Sequence, residues 1–422
     1  MPAFSPGGTP VRPLGAFERA IDLYMRRNPV QFSLVAKVGR AVAEAELSTG
    51  LARLQALHPL LRVAVDQDGP EAVYRETDGP IAVGSAAPGT PWQAVVVHEQ
   101  TRPIPARPGP PARAVLVPGA ETCAIVLTFA HQITDGTGAL RVLLDLLTVL
   151  DSDGDVPKLA PYGVPQTQED LLARLEAGPD TDGTDAGPSA GDDERMHTAG
   201  ELRPFAGRPP HLDALALDRG LTARLVERCR AEGVSVHAAL CAAACTVFHR
   251  AGRDFVRVLS PIDLRRAAGL PDDVANRFAG ARTASTADDA KDFWALARLH
   301  HQGLARQRTP GALRAGSAAL AQHPPTTAEE AEAMMAAVTA ADIQITSLGV
   351  ARSDATGLEV TALWGPAQIT QLRGEHVLGV VTAGGQLRMT ELTHDPVPAL
   401  VPGMAAVLAQ ACAAPAPHTG VR

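Results

Sequence analysis

One loop combines residue types that could carry acid–base chemistry. In the run from Ala130 to Gly138, His131 precedes Asp135 by four residues, and Gly136 follows directly. Neutral imidazole can act as a general base near pH 7 without a large pKa shift. A nearby carboxylate can organise the loop and fix the imidazole, and glycines let backbone or substrate approach closely. This spacing makes His131 a candidate base, with Asp135 and Gly136 as candidate supporting residues.

A structural interpretation of the same loop stays open. Asp135 could simply cap a helix, because the apolar stretch from Leu140 to Leu150 follows it. A match to His-x-x-x-Asp-Gly is by itself a weak signal. The motif alone therefore does not decide between a catalytic loop and a strand-to-helix turn.

The segments around this loop predict elements that would position it. A hairpin is predicted from 112–117 and 122–129, and its second strand has apolar residues on both faces, as a covered central strand does. The stretch 140–150 is a predicted buried helix. Strand and helix patterns alternate through both halves of the chain, which predicts a mixed α/β fold. Leu60 to Val65 is a predicted strand, and a buried helix from Val236 is predicted to be capped by Ser235.

Length and charge limit the class of protein. The chain has 422 residues and a formal net charge of -8. Such a length favours two domains or two halves of one large fold. A negative charge argues against nucleic-acid or membrane-surface binding, and no apolar run is long enough to span a membrane. No signal peptide is recognised at the start, so we expect a cytoplasmic protein.

The cysteines and the other histidines indicate packing rather than chemistry. The 5 cysteines lie in apolar stretches and are expected to be reduced core residues. Cys241 and Cys245 are one helical turn apart, but no second ligand pair is nearby, so no metal site is predicted. His300 and His301 lie in a charged helical pattern and are expected to be solvated.

A change of composition divides the chain. The run 178–194 has six acidic residues and no basic ones, with many Gly, Pro, Thr and Ser. Such a segment cannot bury enough apolar surface to order itself. We predict an N-terminal half at 1–165, an acidic crossover linker at 166–210 and a C-terminal half at 211–422. An acidic recognition segment is the alternative interpretation of the linker.

The loop resembles the H-H-x-x-x-D-G active-site motif of the superfamily that includes chloramphenicol acetyltransferase, peptide-synthetase condensation domains, plant acyl-CoA-dependent acyltransferases and mycobacterial polyketide-associated acyltransferases. Four more segments are similar in the same order, most of all to the polyketide-associated branch. They are Arg12 to Glu18, Leu57 to Arg62, Pro261 to Arg265, and Gly374 to Thr382. The resemblance therefore covers about residues 10 to 395.

The resemblance implies two chloramphenicol-acetyltransferase-like halves, each a mixed sheet covered by helices, with a tunnel between them. It implies an acyltransferase that moves an acyl group from a pantetheine thioester, either acyl-CoA or an acyl carrier protein, to a hydroxyl acceptor. An amine acceptor is the less favoured possibility. The setting would be secondary-metabolite or lipid biosynthesis. No cofactor is expected, because the thioester carries the activation. A monomer is expected, since two fused halves can complete a tunnel in one chain.

The resemblance also assigns roles to residues. His131 would be the general base, and Asp135 a structural carboxylate paired with Arg265. Thr346 and Ser347 are candidate substrate-binding residues that could donate to the developing oxyanion. Two positions depart from the family: Ala130 stands where the first histidine of the motif is usual, and Ser347 where asparagine is common.

These departures leave two other functions open. A non-catalytic relative could keep the fold to bind a carrier protein or recruit a partner enzyme. A repurposed enzyme could use His131 to cyclise or dehydrate a carrier-bound intermediate. Acceptor-dependent release of free pantetheine thiol would distinguish acyl transfer from both.

Overall fold

The structure is a computed structural model, and it describes residues 8–68, 71–151, 161–175, 194–352 and 358–413. Nearly all of the acidic run 178–194 lies outside these residues, so its interpretation as a linker stays a prediction.

The described residues contain 14 strands. Their bounds are β1 Pro10–Pro13, β2 Gln31–Val38, β3 Val63–Asp66, β4 Val73–Glu76, β5 Ala82–Ser85, β6 Ala112–Pro118, β7 Cys123–Ala130, β8 His211–Ala216, β9 Phe255–Asp263, β10 Phe278–Thr286, β11 Ile343–Val350, β12 Val360–Gln368, β13 His376–Ala383 and β14 Gln386–Thr393.

The same residues contain 13 α-helices. Their bounds are α1 Ala16–Met25, α2 Glu44–Leu57, α3 Trp92–Gln100, α4 Gly136–Asp151, α5 Gln168–Ala173, α6 Glu194–His197, α7 Arg219–Ala231, α8 Val236–Arg250, α9 Leu264–Ala267, α10 Phe293–Gln307, α11 Pro310–Gln322, α12 Ala328–Val338 and α13 Leu400–Ala413.

Two mixed sheets form the framework. The five-stranded sheet has the order β12-β2-β7-β6-β5, and the six-stranded sheet has the order β10-β9-β11-β13-β14-β8. In the first, only the β5–β6 pair is parallel. In the second, β11 runs parallel to both β9 and β13. A third, three-stranded sheet has the order β1-β4-β3. The predicted mixed α/β class is confirmed.

Each large sheet is covered by helices. Leucines of α2 and α4 pack with β2, β6 and β7 in one core, and α8, α10 and α13 pack with the six-stranded sheet in another. The predicted hairpin is present as β6 and β7, whose residues pair from Ala112 with Phe129 to Pro118 with Cys123. The predicted cap of α8 is also present, because the Ser235 side chain accepts a hydrogen bond from the Ala238 N–H.

One strand joins the two sheets. β12 lies late in the chain, yet it pairs antiparallel with β2 at the edge of the five-stranded sheet. It crosses β13 so closely that a Cβ on Gly379 would overlap the carbonyl oxygen of Pro366. Because β12 pairs with β2 in the five-stranded sheet, Pro366 and Gln368 of β12 line the same cavity as the loop that carries His131.

The strand predicted from Leu60 to Val65 is wrong in its first half. Pro59–Arg62 is a short 3-10 helix, and β3 begins only at Val63, so the strand predicted from Leu60 is shorter. Proline at the first position of that turn suits a helical start, since its missing N–H needs no partner there.

His300 is fully buried rather than solvated. Its Nδ1 lies 2.7 Å from Thr283 Oγ1, and its Nε2 lies 3.4 Å from the Cys245 Sγ. Burial lowers the pKa of His300 to about 3, so the imidazole is neutral. Polar partners on β10 and α8 compensate for its burial, and the charged helical pattern could not reveal them.

No described helix is by itself long and apolar enough to cross a membrane; α7 and α8 meet that criterion only together, as a pair bent by 103°.

Candidate active site

His131 lies directly after β7, where the strand leaves the five-stranded sheet. Its backbone N–H donates to the carbonyl of Val30 (3.0 Å). Its ring packs against the rings of Phe32 and Phe278, with centroids 5.1 and 5.3 Å away. The residue is 9% exposed and lines an internal cavity. Ala130, the residue before it, is fully buried at the end of β7, where it pairs with Gln31.

The imidazole of His131 is held in its neutral form. Burial lowers its pKa, while the nearby carboxylate of Asp135 acts in the opposite direction. Burial disfavours the charged form because imidazolium loses its hydration. The Nδ1 atom is buried and has no hydrogen-bond partner among the described residues. A neutral imidazole facing a cavity can accept a proton at pH 7.

Asp135 is fixed by hydrogen bonds that do not involve the His131 ring. Its carboxylate lies 3.0 and 3.2 Å from Nη1 of Arg265, and both side chains are buried. It also accepts from the N–H groups of Gly138 (2.8 Å) and Arg277 (2.7 Å). The bond to Gly138 caps α4, so the helix cap and the predicted ion pair coexist. This arrangement suits a structural carboxylate, because one guanidinium nitrogen and two backbone N–H groups all donate to its oxygens.

Arg265 joins the loop to the segment before β10. Its guanidinium donates to the carbonyl oxygens of Asp273 (2.9 Å) and Ala275 (2.7 Å). It also approaches Asp263 Oδ1 at 3.2 Å. A single side chain therefore orders the Asp135 carboxylate and the turn at 273–275.

Asn276 and Arg277 are site residues that the sequence did not reveal. The Asn276 amide donates to the carbonyl oxygens of His131 (2.8 Å) and Gln132 (3.1 Å). The fully buried Arg277 pairs with Asp273 (2.7 Å) and lines the cavity. Their only sequence signal is a polar pair just before an apolar strand, and many surface turns share that signal.

Gly136 and Gly138 are required by close packing at the start of α4. A Cβ on Gly136 would lie 2.9 Å from Leu348 Cδ2. A Cβ on Gly138 would lie 2.5 Å from the carbonyl oxygen of Val274 and 2.5 Å from Thr134 Oγ1. The backbone of α4 thus touches the turn that Arg265 holds.

We expect Gly138→Ala to lower the free energy of unfolding by about 1–3 kcal/mol, because the added methyl would push the Val274 carbonyl away. Urea denaturation measures the effect. Gly311→Ala is the matched control in α11, where a Cβ would have nothing within 4 Å. A Gly138→Ala protein as stable as the Gly311→Ala control would show that the close contact costs nothing.

Thr346 and Ser347 lie side by side in β11, and both line the cavity. Thr346 Oγ1 accepts a hydrogen bond from Gln344 Nε2 (3.3 Å), and Ser347 is exposed. Their proposed contact with substrate stays a prediction.

The cavity has a volume of about 470 Å³ and lies between the two large sheets. Its walls are mainly apolar, and both halves of the chain supply them. The loop of His131, α1 and β2 line one part, and most of the rest is lined by β9, β10, β11, β12, α5, α11 and α12. Such a mostly apolar space with a few polar groups is typical of a small-molecule site.

Several solved structures share this architecture. Polyketide synthase associated protein 5 from Mycobacterium tuberculosis is 17% identical, with a TM-score of 0.68 over 96% of this chain and 99% of that one. The first condensation domain of the CDA synthetase is 14% identical, with a TM-score of 0.67 over 96% and 97%. The trichothecene 15-O-acetyltransferase from Fusarium sporotrichioides is 13% identical, with a TM-score of 0.62 over 95% and 94%.

The chain therefore has the fold of condensation domains and chloramphenicol-acetyltransferase-like acyltransferases, as the motifs predicted. No family model matches the sequence, and no curated protein gives a significant match. At these identities the likeness shows the fold alone, because the same fold can carry different reactions.

Proposed function

We propose that this protein is an acyltransferase that forms an ester from a pantetheine thioester and a hydroxyl acceptor. The observation that carries the proposal is the neutral imidazole of His131 at the wall of a mainly apolar cavity that both halves of the chain line. A base in such a place can meet a donor and an acceptor that enter the same cavity.

The reaction needs one proton acceptor and one leaving group. The imidazole of His131 takes the proton of the acceptor hydroxyl as its oxygen attacks the thioester carbonyl carbon. The tetrahedral intermediate then breaks its carbon–sulfur bond, and the imidazolium returns the proton to the departing thiolate. The products are an ester and a free pantetheine thiol. No separate cofactor takes part, because the thioester supplies the activation.

Other residues would act by holding this arrangement. Asp135 is committed to Arg265, Gly138 and the Arg277 N–H, so it orders the loop and does not take the proton. Asn276 fixes the backbone of His131 through its carbonyl. A hydroxyl of Thr346 or Ser347 is proposed to donate to the oxyanion, since both residues line the cavity.

The substrates are proposed by class. The mainly apolar walls suit a lipid-like or polyketide acyl group. The donor is coenzyme A or a carrier protein, which share the same thioester arm. We also propose a monomer, because two halves fused in one chain can form a shared cavity, and a cytoplasmic location, as expected from the sequence.

Thiol release from a panel of acyl-CoAs of increasing chain length tests the proposal. An alcohol and an amine serve as surrogate acceptors, and products are weighed by mass spectrometry. We expect free thiol to appear only with the alcohol, in step with an ester product. Silence with acyl-CoA calls for the same assay with acyl carrier proteins. Silence there, with tight carrier binding, would replace the proposal by a binding role, and a changed donor without thiol release would indicate cyclisation or dehydration.

A further inference from the structure

The free edge of β10 lines the cavity. Among the described residues, β10 is the outermost strand of its sheet and pairs only with β9. In an antiparallel pair, backbone groups face the partner strand at alternate residues. The Leu264 N–H donates to the carbonyl of Arg277, so the backbone groups of Phe278, Gly280 and Arg282 face away from β9. Phe278 and Gly280 both line the cavity.

At Arg282, the side-chain carboxamide of Gln307 already pairs with the outward-facing backbone groups of β10. The Arg282 N–H donates to Gln307 Oε1 (3.0 Å), and Gln307 Nε2 donates back to the Arg282 carbonyl (2.8 Å). Gln307 also lines the cavity. No described residue pairs in this way with the backbone of Gly280 or Phe278. The next positions of the same edge are therefore open to an amide from outside the chain.

We propose that the backbone of Gly280 and Phe278 binds the pantetheine arm of the donor through its secondary amides. This inference rests on the proposed function, because it states how that donor would be held. Pantetheine is an extended chain whose amides each offer one N–H and one C=O, which is the complement of a strand edge. A Cβ at Gly280 would meet only Leu259 Cδ1, at an ordinary contact distance of 3.5 Å, so this position also accepts alanine.

The N-terminal end of the free edge of β10 lies close to His131. Outward-facing residues two apart on a strand are about 6.6 Å from each other. An arm paired at Gly280 would therefore next reach Phe278, whose ring lies 5.3 Å from the His131 ring. An arm that follows β10 in this direction would present its thioester to His131.

A second polar group in the cavity has no partner. Gln168 of α5 is 6% exposed and lines the cavity, and its Oε1 has no hydrogen-bond partner among the described residues. A buried acceptor left unpaired is costly, so a bound N–H or O–H donor would stabilise this side chain. An amide-bearing chain in the cavity supplies such a donor, whereas an alkyl chain does not.

The test compares the binding of two thioesters by calorimetry. Hexanoylpantetheine carries the amides, and S-ethyl hexanethioate has the same acyl group without them. Gly280→Pro removes the outward N–H and leaves the ladder to β9 intact, since proline is tolerated on a free strand edge. Gly280→Ala keeps the N–H, so the ratio of the dissociation constants of the two variants isolates the contribution of that N–H to binding. Gln168→Leu removes the second partner without touching the strand.

We expect hexanoylpantetheine to bind about 3- to 10-fold more weakly to Gly280→Pro than to Gly280→Ala, the size expected for one net hydrogen bond. Gln168→Leu should weaken the same ligand, and S-ethyl hexanethioate should be indifferent to both changes. Equal losses for both thioesters, or no loss for hexanoylpantetheine, would overturn the inference. Wild-type protein that binds S-ethyl hexanethioate as tightly as hexanoylpantetheine would also overturn the inference. Amide-dependent binding without any thiol release would refute the proposed function alone.

Discussion

His131→Ala is expected to lower kcat for acceptor-dependent thiol release by about 100- to 10,000-fold, the usual contribution of a general base. Without the imidazole, the loop keeps Asp135 as its titratable side chain, and that carboxylate already accepts from Arg265 and two backbone N–H groups. The fold should be unchanged, because the ring contacts Phe32 and Phe278 and its Nδ1 has no hydrogen-bond partner among the described residues.

A suitable control is His98→Ala, which removes an exposed histidine on α3, away from the cavity. Its kcat should match that of the wild type. Circular dichroism and thermal unfolding of both variants establish that any loss is chemical. Turnover of His131→Ala equal to that of the control would remove His131 from the mechanism.

Asp135→Ala is expected to lower the free energy of unfolding by about 3–5 kcal/mol, the cost of leaving a buried charge without its partner. The guanidinium of Arg265 would keep its contact to Asp263 but lose the carboxylate it shares with α4, and two backbone N–H groups would lose their acceptor. Urea denaturation measures the loss, and kcat should fall with it because the loop of His131 loses its anchor.

The matched control is Asp272→Ala, which breaks an ion pair between Asp272 and Arg141 at the surface. The Asp272 side chain is 63% exposed, so its loss should cost less than about 1 kcal/mol. Arg265→Ala should resemble Asp135→Ala, and the double variant should cost less than the sum of the two. Losses that simply add would mean that the two side chains are not coupled in stability.

The parts of the fold that could be predicted from the sequence depend on local patterns. The hairpin of β6 and β7, the buried helix α4 and the cap at Ser235 each follow from residues close together in the chain. The loop of His131 was found because its residues are also contiguous. The ion pair of Asp135 with Arg265 joins residues 130 positions apart. It was predicted from family resemblance, since spacing in one sequence holds no such information.

The other features could not be predicted, because they depend on contacts between elements that are far apart in the chain. β12 joins the first sheet by pairing with β2, and nothing in its own residues marks that partner. Asn276 supports His131 only because β10 begins beside the loop. His300 is buried because Thr283 and Cys245 compensate its polar atoms, while its own helix has a surface pattern. Each case depends on which elements meet, and a linear pattern does not record that.

The pH dependence of kcat/KM tests the central claim most directly, because it reports the protonation of the base itself. The pKa of His131 is lowered by burial, so the neutral, active form persists as pH falls below 6.5, the usual histidine value. Folding should likewise be destabilised as pH falls through that value, since the unfolded chain takes up the proton first. Acceptor-dependent thiol release would be followed from pH 4.5 to 9 with wild type and His131→Ala.

We predict that wild-type kcat/KM is constant from pH 7 to 9 and falls on the acid side with an apparent pKa below 6.5. The small residual rate of His131→Ala should lack this acid limb. An acid limb centred above pH 6.5 in the wild type, or an acid limb that remains in His131→Ala, would contradict the assignment of His131 as the base.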